Sequence, residues 1–276
     1  MRDGLFLQSA NPRQINRDSA TDTVRGWALT PIPSTTCMNE QKNLNRIEII
    51  DGLRGFSVVL MVAHHLLYNL VAFLDAPSWF FFNPVFSVLA PFFAGLFIFL
   101  SGVSSRFSRS NINRGLKCLA LSAVITAVTY FIGMPIWFGV LHLLGFCMLF
   151  YGLTRKFWDK IPRSAAPCLF IALIVGGAIA TRNIAIRNVL AWVLGLAPRG
   201  RDFIFSYDYF PLLPWMFVFL LGTWAGWYVK ERKLPERFYE AKFWIFPHVG
   251  RKALLIYMLH QPILYGLIIG ILFLLR

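Results

Sequence analysis

The sequence predicts an all-α membrane protein, a polytopic bundle of about seven transmembrane helices. Hydrophobic residues make up 57% of the 276-residue chain and charged residues only 14%, against about 25% charged residues in soluble domains. The mean hydropathy is +0.58, and long apolar runs recur at the length of about 20 residues that crosses a bilayer as a helix. These observations exclude a soluble fold and predict a lipid bilayer as the first partner.

The apolar runs place seven spans in order along the chain, each to within several residues. They lie near 50–72, 84–104, 116–133, 136–153, 165–181, 211–229 and 253–275. No internal repeat of fixed period is visible in the sequence, so a transporter built from repeats receives no support.

The net charge of +14 is interpreted by position, because basic residues gather in cytoplasmic loops of membrane proteins. Connections 73–83 and 134–135 contain no Lys or Arg, whereas the segment before the first span and the second, fourth and sixth connections are basic. This alternation predicts a cytoplasmic N-terminus and an external C-terminus. It also explains the net positive charge without a nucleic-acid partner.

One connection disagrees with the alternation. Residues 182–210 should be external, yet they contain four arginines. The short apolar piece Val189 to Ala197 either dips into the interface or packs over the bundle. If this piece were an eighth span instead, the orientations assigned to the last two spans would be reversed.

Residues 1–37 are polar and contain no apolar signal-peptide core. They form either a disordered cytoplasmic tail or a segment that precedes the natural start at Met38. Residues 38–276 are predicted to form a single transmembrane domain. The four cysteines are scattered without metal-ligand spacing, which predicts reduced thiols and no metal site.

The first span contains two ionisable residues on one helix face. Arg54 and His65 are eleven positions apart, so at 100° per residue their side chains point about 20° apart and lie about 16 Å apart along the axis. Ionisable groups inside a span usually mark a functional site. His64 points about 80° to the other side and is the alternative candidate. Asp51 either orients the Arg54 guanidinium or is a helix N-terminal carboxylate favoured by the dipole.

Five segments, in order and sensibly spaced, carry a resemblance to one superfamily. They are Arg46–Gly55 with Met61–His65, Phe97–Gly102, Phe138–His142, Asp208–Trp215 and Ile256–Pro262. They resemble the transmembrane acyltransferases, which include the membrane acyltransferase-3 group. The closest resemblance is to a bacterial family related to the catalytic domain of heparan-alpha-glucosaminide N-acetyltransferase. It covers essentially residues 46–275.

The resemblance implies transfer of an acyl group, usually acetyl, from cytosolic acyl-CoA to a sugar or glycan acceptor at or across the membrane. It also implies a multi-pass location in the bacterial inner membrane and acetyl-CoA as the acyl donor. A neutral imidazole suits this reaction either as a base or as an acyl carrier. Positive charge suits the CoA phosphates and the developing oxyanion.

The candidate site residues fall into three groups by expected role. For each there is a simpler structural interpretation, such as a buried hydrogen-bonded histidine, a helix cap or a topology-determining loop charge. The predicted catalytic residues are His65, Arg54 and, as an alternative base, His64. Donor binding is assigned to Arg54, Asp51 and Arg106, and acceptor binding to Asp208, His142 and His260.

Two alternatives remain open from the sequence. A non-catalytic carrier or transporter of a lipid or glycan on the same scaffold would have no evident need for an imidazole aligned with an arginine. The pairs Gly222-x-x-x-Gly226 and Gly266-x-x-x-Gly270 permit close helix contact. They are compatible with a homodimer and equally with packing inside one chain.

Overall fold

The computed structural model of the chain describes residues 47–198, 203–241 and 245–274. Within these ranges it contains ten α-helices, no strand and one 3₁₀ turn, Ser78–Phe80. The helices are α1 (Glu48–Phe73), α2 (Pro84–Ser105), α3 (Asn111–Phe131), α4 (Val140–Trp158), α5 (Ala166–Asn183), α6 (Val189–Leu194), α7 (Trp215–Lys230), α8 (Glu236–Glu240), α9 (Phe246–Arg251) and α10 (Ala253–Leu274). The predicted all-α class is confirmed. The predicted tail or alternative start, residues 1–37, lies outside the described residues.

Six of the helices in the described ranges are long and apolar enough to cross a membrane: α1 to α5 and α10. This confirms a multi-pass membrane protein. The predicted span 211–229 corresponds to α7, a helix of 16 residues. It begins after Pro214, because prolines at 211 and 214 disfavour helical backbone in the residues before them. The number of crossings and the side of the N-terminus stay predictions.

The apolar piece in the 182–210 connection packs over the bundle. It forms α6, a helix of six residues, which spans about 9 Å and is too short to cross a bilayer. The buried Trp192 ring stacks on Tyr209 at a centroid distance of 4.9 Å. The Leu212 N–H donates to the Val193 carbonyl oxygen over 2.9 Å. The eighth span that the sequence left open is therefore not formed.

Helices α2 and α7 pack closely against each other, and glycines make that contact possible. A Cβ atom on Gly102 would collide with the Phe219 carbonyl oxygen, and one on Gly222 with the Phe99 carbonyl oxygen. Gly226 faces the same helix. The first Gly-x-x-x-Gly pair therefore serves packing within one chain. At Gly266, by contrast, no described atom lies within 4 Å of a Cβ position.

The largest core cluster joins α2, α3, α4, α5 and α7. Its fully buried side chains include Ile98, Leu143, Tyr151 and Phe219. Helix α1 packs on the other side of α2 and also contacts α9 and α10. This arrangement places the polar middle of α1 against α10, where the candidate site lies.

Candidate functional site

A cavity of about 1070 Å³ lies between α1, α2, α3 and α10. The chain segments 134–140 and 205–215 close its remaining wall. Four of the predicted site residues line it: His64, His65, Asp208 and His260. The fold therefore brings together, in one cavity, residues from three distant parts of the sequence.

His65 on α1 faces His260 on α10. The centroids of the two imidazole rings are 5.0 Å apart. His260 Nδ1 lies 2.7 Å from the carbonyl oxygen of Tyr257. Because a carbonyl oxygen only accepts, Nδ1 carries the proton, and Nε2 of the neutral ring is an acceptor. That Nε2 is buried and has no hydrogen-bond partner in the part of the chain that the structure describes. A basic nitrogen is thus held beside His65.

His64 points toward aromatic side chains instead. Its ring centroid lies 4.8 Å from that of Phe81 and 6.3 Å from that of Phe86. Its Nδ1 is buried and has no hydrogen-bond partner among the described residues. The two neighbouring histidines therefore face different groups, as the helix phase predicts.

Asp208 joins the start of α4 to α10. The Tyr257 hydroxyl donates to Asp208 Oδ2 over 3.1 Å, and the Val140 N–H also donates to this carboxylate. Burial raises the pKa of Asp208, and the two hydrogen bonds oppose part of that rise. Tyr257 consequently connects two predicted site residues, because its hydroxyl contacts Asp208 and its carbonyl contacts His260.

Sequence reasoning did not single out Tyr257, Asn69 or Gln261. Asn69 is buried, and its side-chain nitrogen donates to Gln261 Oε1 over 3.3 Å, a second polar link between α1 and α10. Helical spacing is the signal that could have found two of them. Tyr257 precedes His260 by three positions and Asn69 follows His65 by four, so each shares a helix face with its histidine.

His142 does not line the cavity. Its Nδ1 accepts from the Gly139 N–H over 3.3 Å, and Nε2 lies 3.1 Å from Thr126 Oγ1. Since Nδ1 accepts, Nε2 carries the proton and donates to Thr126, whose hydroxyl donates to the Ile136 carbonyl over 2.6 Å. These contacts support a structural role at the start of α4 rather than acceptor binding.

Arg54 lies outside the cavity lining. Its Nη1 forms an ion pair with Asp51 Oδ1 over 2.9 Å, so the carboxylate orients the guanidinium. Its Nη2 donates to Ser104 Oγ on α2. Because α1 is continuous from Glu48 to Phe73, Arg54 remains about 16 Å along the axis from His65. The cavity and the arginine are therefore two separate places on one helix.

Arg106 is held at the junction of α2, α4 and α7. Its Nη1 lies 2.6 Å from Asp159 Oδ1, and its Nε donates to the Thr223 carbonyl oxygen over 2.9 Å. The guanidinium also lies 5.7 Å from the centroid of the Tyr151 ring. With these partners Arg106 links three helices, which argues for a structural role rather than donor binding.

The shifted pKa of Asp208 predicts a pH-dependent stability. A carboxyl group whose pKa is raised in the folded state binds its proton more tightly there. The amount by which this carboxyl group raises the free energy of unfolding is therefore fully present below the ordinary pKa of about 3.9. It is lost as the pH rises through the higher pKa of the folded state. We expect the melting temperature of wild type, relative to Asp208→Asn, to fall as the pH rises.

The melting temperatures would be measured in detergent between about pH 4 and pH 8. Asp75→Asn, at an exposed carboxylate, is the matched control and should show no such trend. A constant difference between wild type and Asp208→Asn across this range would contradict the prediction.

The helices long and apolar enough to cross a membrane define a multi-pass membrane protein, and an imidazole-lined cavity lies between them. The family profile described as heparan-alpha-glucosaminide N-acetyltransferase, catalytic, matches residues 46–262, and the chain belongs to this family. The match confirms the predicted family and contains both His65 and His260, although it ends short of residue 275. No curated protein and no solved structure gives a significant match.

Family membership identifies the chain as a membrane protein of an acetyltransferase family. Within the described ranges, no group of three or more His, Cys, Asp or Glu side chains is arranged to hold a metal ion.

Proposed function

We propose that the protein transfers an acetyl group from acetyl-CoA to an amino or hydroxyl group of a sugar or glycan acceptor. The reaction takes place in the cavity between α1 and α10, in the inner membrane of a bacterium. The family match supports acetyl transfer. The donor, the acceptor and the roles of the cavity residues are proposed here.

The main support for this proposal is the close approach of the His65 and His260 imidazole rings, whose centroids are 5.0 Å apart. His260 presents an acceptor nitrogen because its other nitrogen is bonded to the Tyr257 carbonyl. An N–H of His65 directed at that nitrogen would leave the second nitrogen of His65 as a base. A positioned base beside a second polar group is the arrangement that general base catalysis requires.

The proposed step uses His65 as the base. The acceptor nitrogen or oxygen attacks the thioester carbonyl carbon while His65 takes the proton that the acceptor loses. The tetrahedral intermediate then collapses, the carbon–sulfur bond breaks, and the leaving thiolate receives the proton from the His65 imidazolium. In this proposal the Asp208 carboxylate and the oxygen of the Tyr257 hydroxyl, whose proton is donated to Asp208, accept hydrogen bonds from hydroxyl groups of the acceptor sugar.

Arg54 is proposed to bind the phosphates of the donor. A guanidinium suits phosphate oxygens because its donors form a rigid fork, and Asp51 and Ser104 hold this one in place. We expect Arg54→Ala to raise the KM for acetyl-CoA by about tenfold or more, with a smaller change in kcat.

Ser104→Ala is the matched control, because it removes one hydrogen bond to Arg54 and keeps the charge. It should change KM much less than Arg54→Ala. Steady-state kinetics with varied acetyl-CoA would measure both variants. A fall in kcat with unchanged KM in Arg54→Ala would assign the arginine to another role.

The experiment that tests the proposed function uses the purified protein in liposomes. Release of the CoA thiol is followed with acetyl-CoA and a pool of amino sugars and membrane glycans. Acceptor-dependent release is the expected result. Movement of an acceptor across the bilayer without CoA release would support the carrier instead.

A further inference from the structure

The cavity lies against α2 and α3, two helices that follow each other in the chain. They are joined by residues 106–110, yet α2 packs mainly on α7 and α1, whereas α3 packs mainly on α4. The lining residues lie at 86–97 in α2 and at 124–132 along α3. Each of these two stretches lies in the half of its helix that is distant from the 106–110 connection. The two helices therefore diverge away from the connection, and the cavity occupies the gap between them.

This gap leads from the cavity to the surface that faces lipid. Val124 and Val128 of α3 and Ile132, the residue after its end, line the cavity and are 54%, 48% and 54% exposed. In a helix apolar enough to cross a membrane, such side chains are covered by lipid chains. On this side the cavity is therefore bordered by apolar side chains that the rest of the bundle leaves about half uncovered.

Polar and apolar groups occupy different walls of the cavity. His65, His260 and Asp208 lie on the wall formed by α1, α10 and segment 205–215. Every lining residue of α2 is apolar, and the single polar lining residue of α3, Thr129, donates its hydroxyl to the Ile125 carbonyl. A ligand that fits both walls has a polar end and a hydrocarbon end.

We infer that the acceptor is a sugar linked to a lipid, and this inference rests on the proposed function. The sugar lies against His65, His260 and Asp208, and the hydrocarbon chain lies in the gap between α2 and α3. The volume of about 1070 Å³ is at the upper end of the roughly 300–1,000 Å³ of small-molecule sites. It exceeds what one sugar ring requires. Because the gap faces lipid, such an acceptor enters from the bilayer.

The test compares acceptors that differ only in the hydrocarbon. Acetyl transfer from acetyl-CoA to glucosamine and to octyl and dodecyl glucosaminides is measured with the full-length protein in liposomes. We expect kcat/KM to rise with chain length, by about tenfold or more between glucosamine and the dodecyl compound. Val128→Trp, which fills the gap, should bring this ratio close to one. Because the ratio is formed within each variant, a general loss of active protein cancels.

Val175→Trp is the matched control, since Val175 on α5 is 52% exposed and does not line the cavity. It should keep the wild-type ratio, which also separates binding in the gap from simple partitioning of the probe into the bilayer. A ratio near one in wild type, with CoA released by free glucosamine, would overturn the lipid-linked acceptor and leave the proposed function standing.

Two further results would also overturn the inference. If Val128→Trp changed the preference between acetyl-CoA and octanoyl-CoA and kept the acceptor ratio, the gap would hold the acyl chain of the donor. Absence of CoA release with every acceptor would reject the proposed function itself, and the lipid-linked acceptor with it.

Discussion

Replacement of His65 by alanine is expected to abolish acetyl transfer, lowering kcat by about 10²- to 10⁴-fold, the usual contribution of a positioned general base. The ring lies 5.0 Å from His260 in the cavity wall. Its removal takes away the proposed proton acceptor and leaves the acceptor-binding groups Asp208 and Tyr257 in place. The KM for acetyl-CoA should therefore change little, because Arg54 lies outside the cavity.

His64→Ala provides the matched control for this variant. The residue is adjacent in the chain and lines the same cavity, but its ring faces Phe81 and Phe86. We expect it to retain most of the wild-type kcat. If His64→Ala lost turnover while His65→Ala kept it, the two roles would be exchanged. If both variants were fully active, neither histidine would be the base.

The second large effect is expected for Gly222→Val, which should prevent stable packing of α2 on α7. A Cβ atom at this position meets the Phe99 backbone carbonyl rather than a side chain that can rotate. Overpacking a core typically costs about 1–3 kcal/mol and occasionally more, and a backbone obstacle leaves little room for relief. The melting temperature and the monodisperse fraction in detergent should both fall sharply.

Gly266→Val is the matched control, because it introduces the same side chain into the other Gly-x-x-x-Gly pair. No described atom lies within 4 Å of a Cβ at Gly266, so the monomer should tolerate the change. Wild-type stability in Gly222→Val would contradict the close α2–α7 contact. Loss of a dimeric species in Gly266→Val would support a homodimer formed through α10, one of the two alternatives that the sequence leaves open.

The helices could be predicted from sequence because each long apolar run approaches the length that crosses a bilayer. The predicted first span, 50–72, corresponds to α1, which covers Glu48–Phe73. Helix geometry also predicted that His64 and His65 face different groups, because a rotation of 100° per residue points neighbouring side chains in different directions. The start of α7 was placed too early because hydropathy alone does not register the conformational restriction of Pro211 and Pro214.

The partners of the site residues could not be predicted in the same way, because they depend on tertiary packing. The approach of His260 to His65 follows from how α10 lies on α1. Arg106 was assigned to the donor from its place in a basic loop, whereas its contact with Asp159 arises only when α2 and α4 meet. His142 was assigned to the acceptor, and its bonds to Gly139 and Thr126 are likewise visible only in the fold.

In the proposed function, the protein transfers an acetyl group within the cavity and requires His65 for this reaction. The most direct test of this function is to incubate wild type and His65→Ala in liposomes with isotopically labelled acetyl-CoA and amino-sugar acceptors, and then to identify labelled products by mass spectrometry. We expect a labelled N- or O-acetyl sugar with wild type and none above background with His65→Ala. Equal labelling by both proteins, or none by wild type across the acceptor pool, would contradict it.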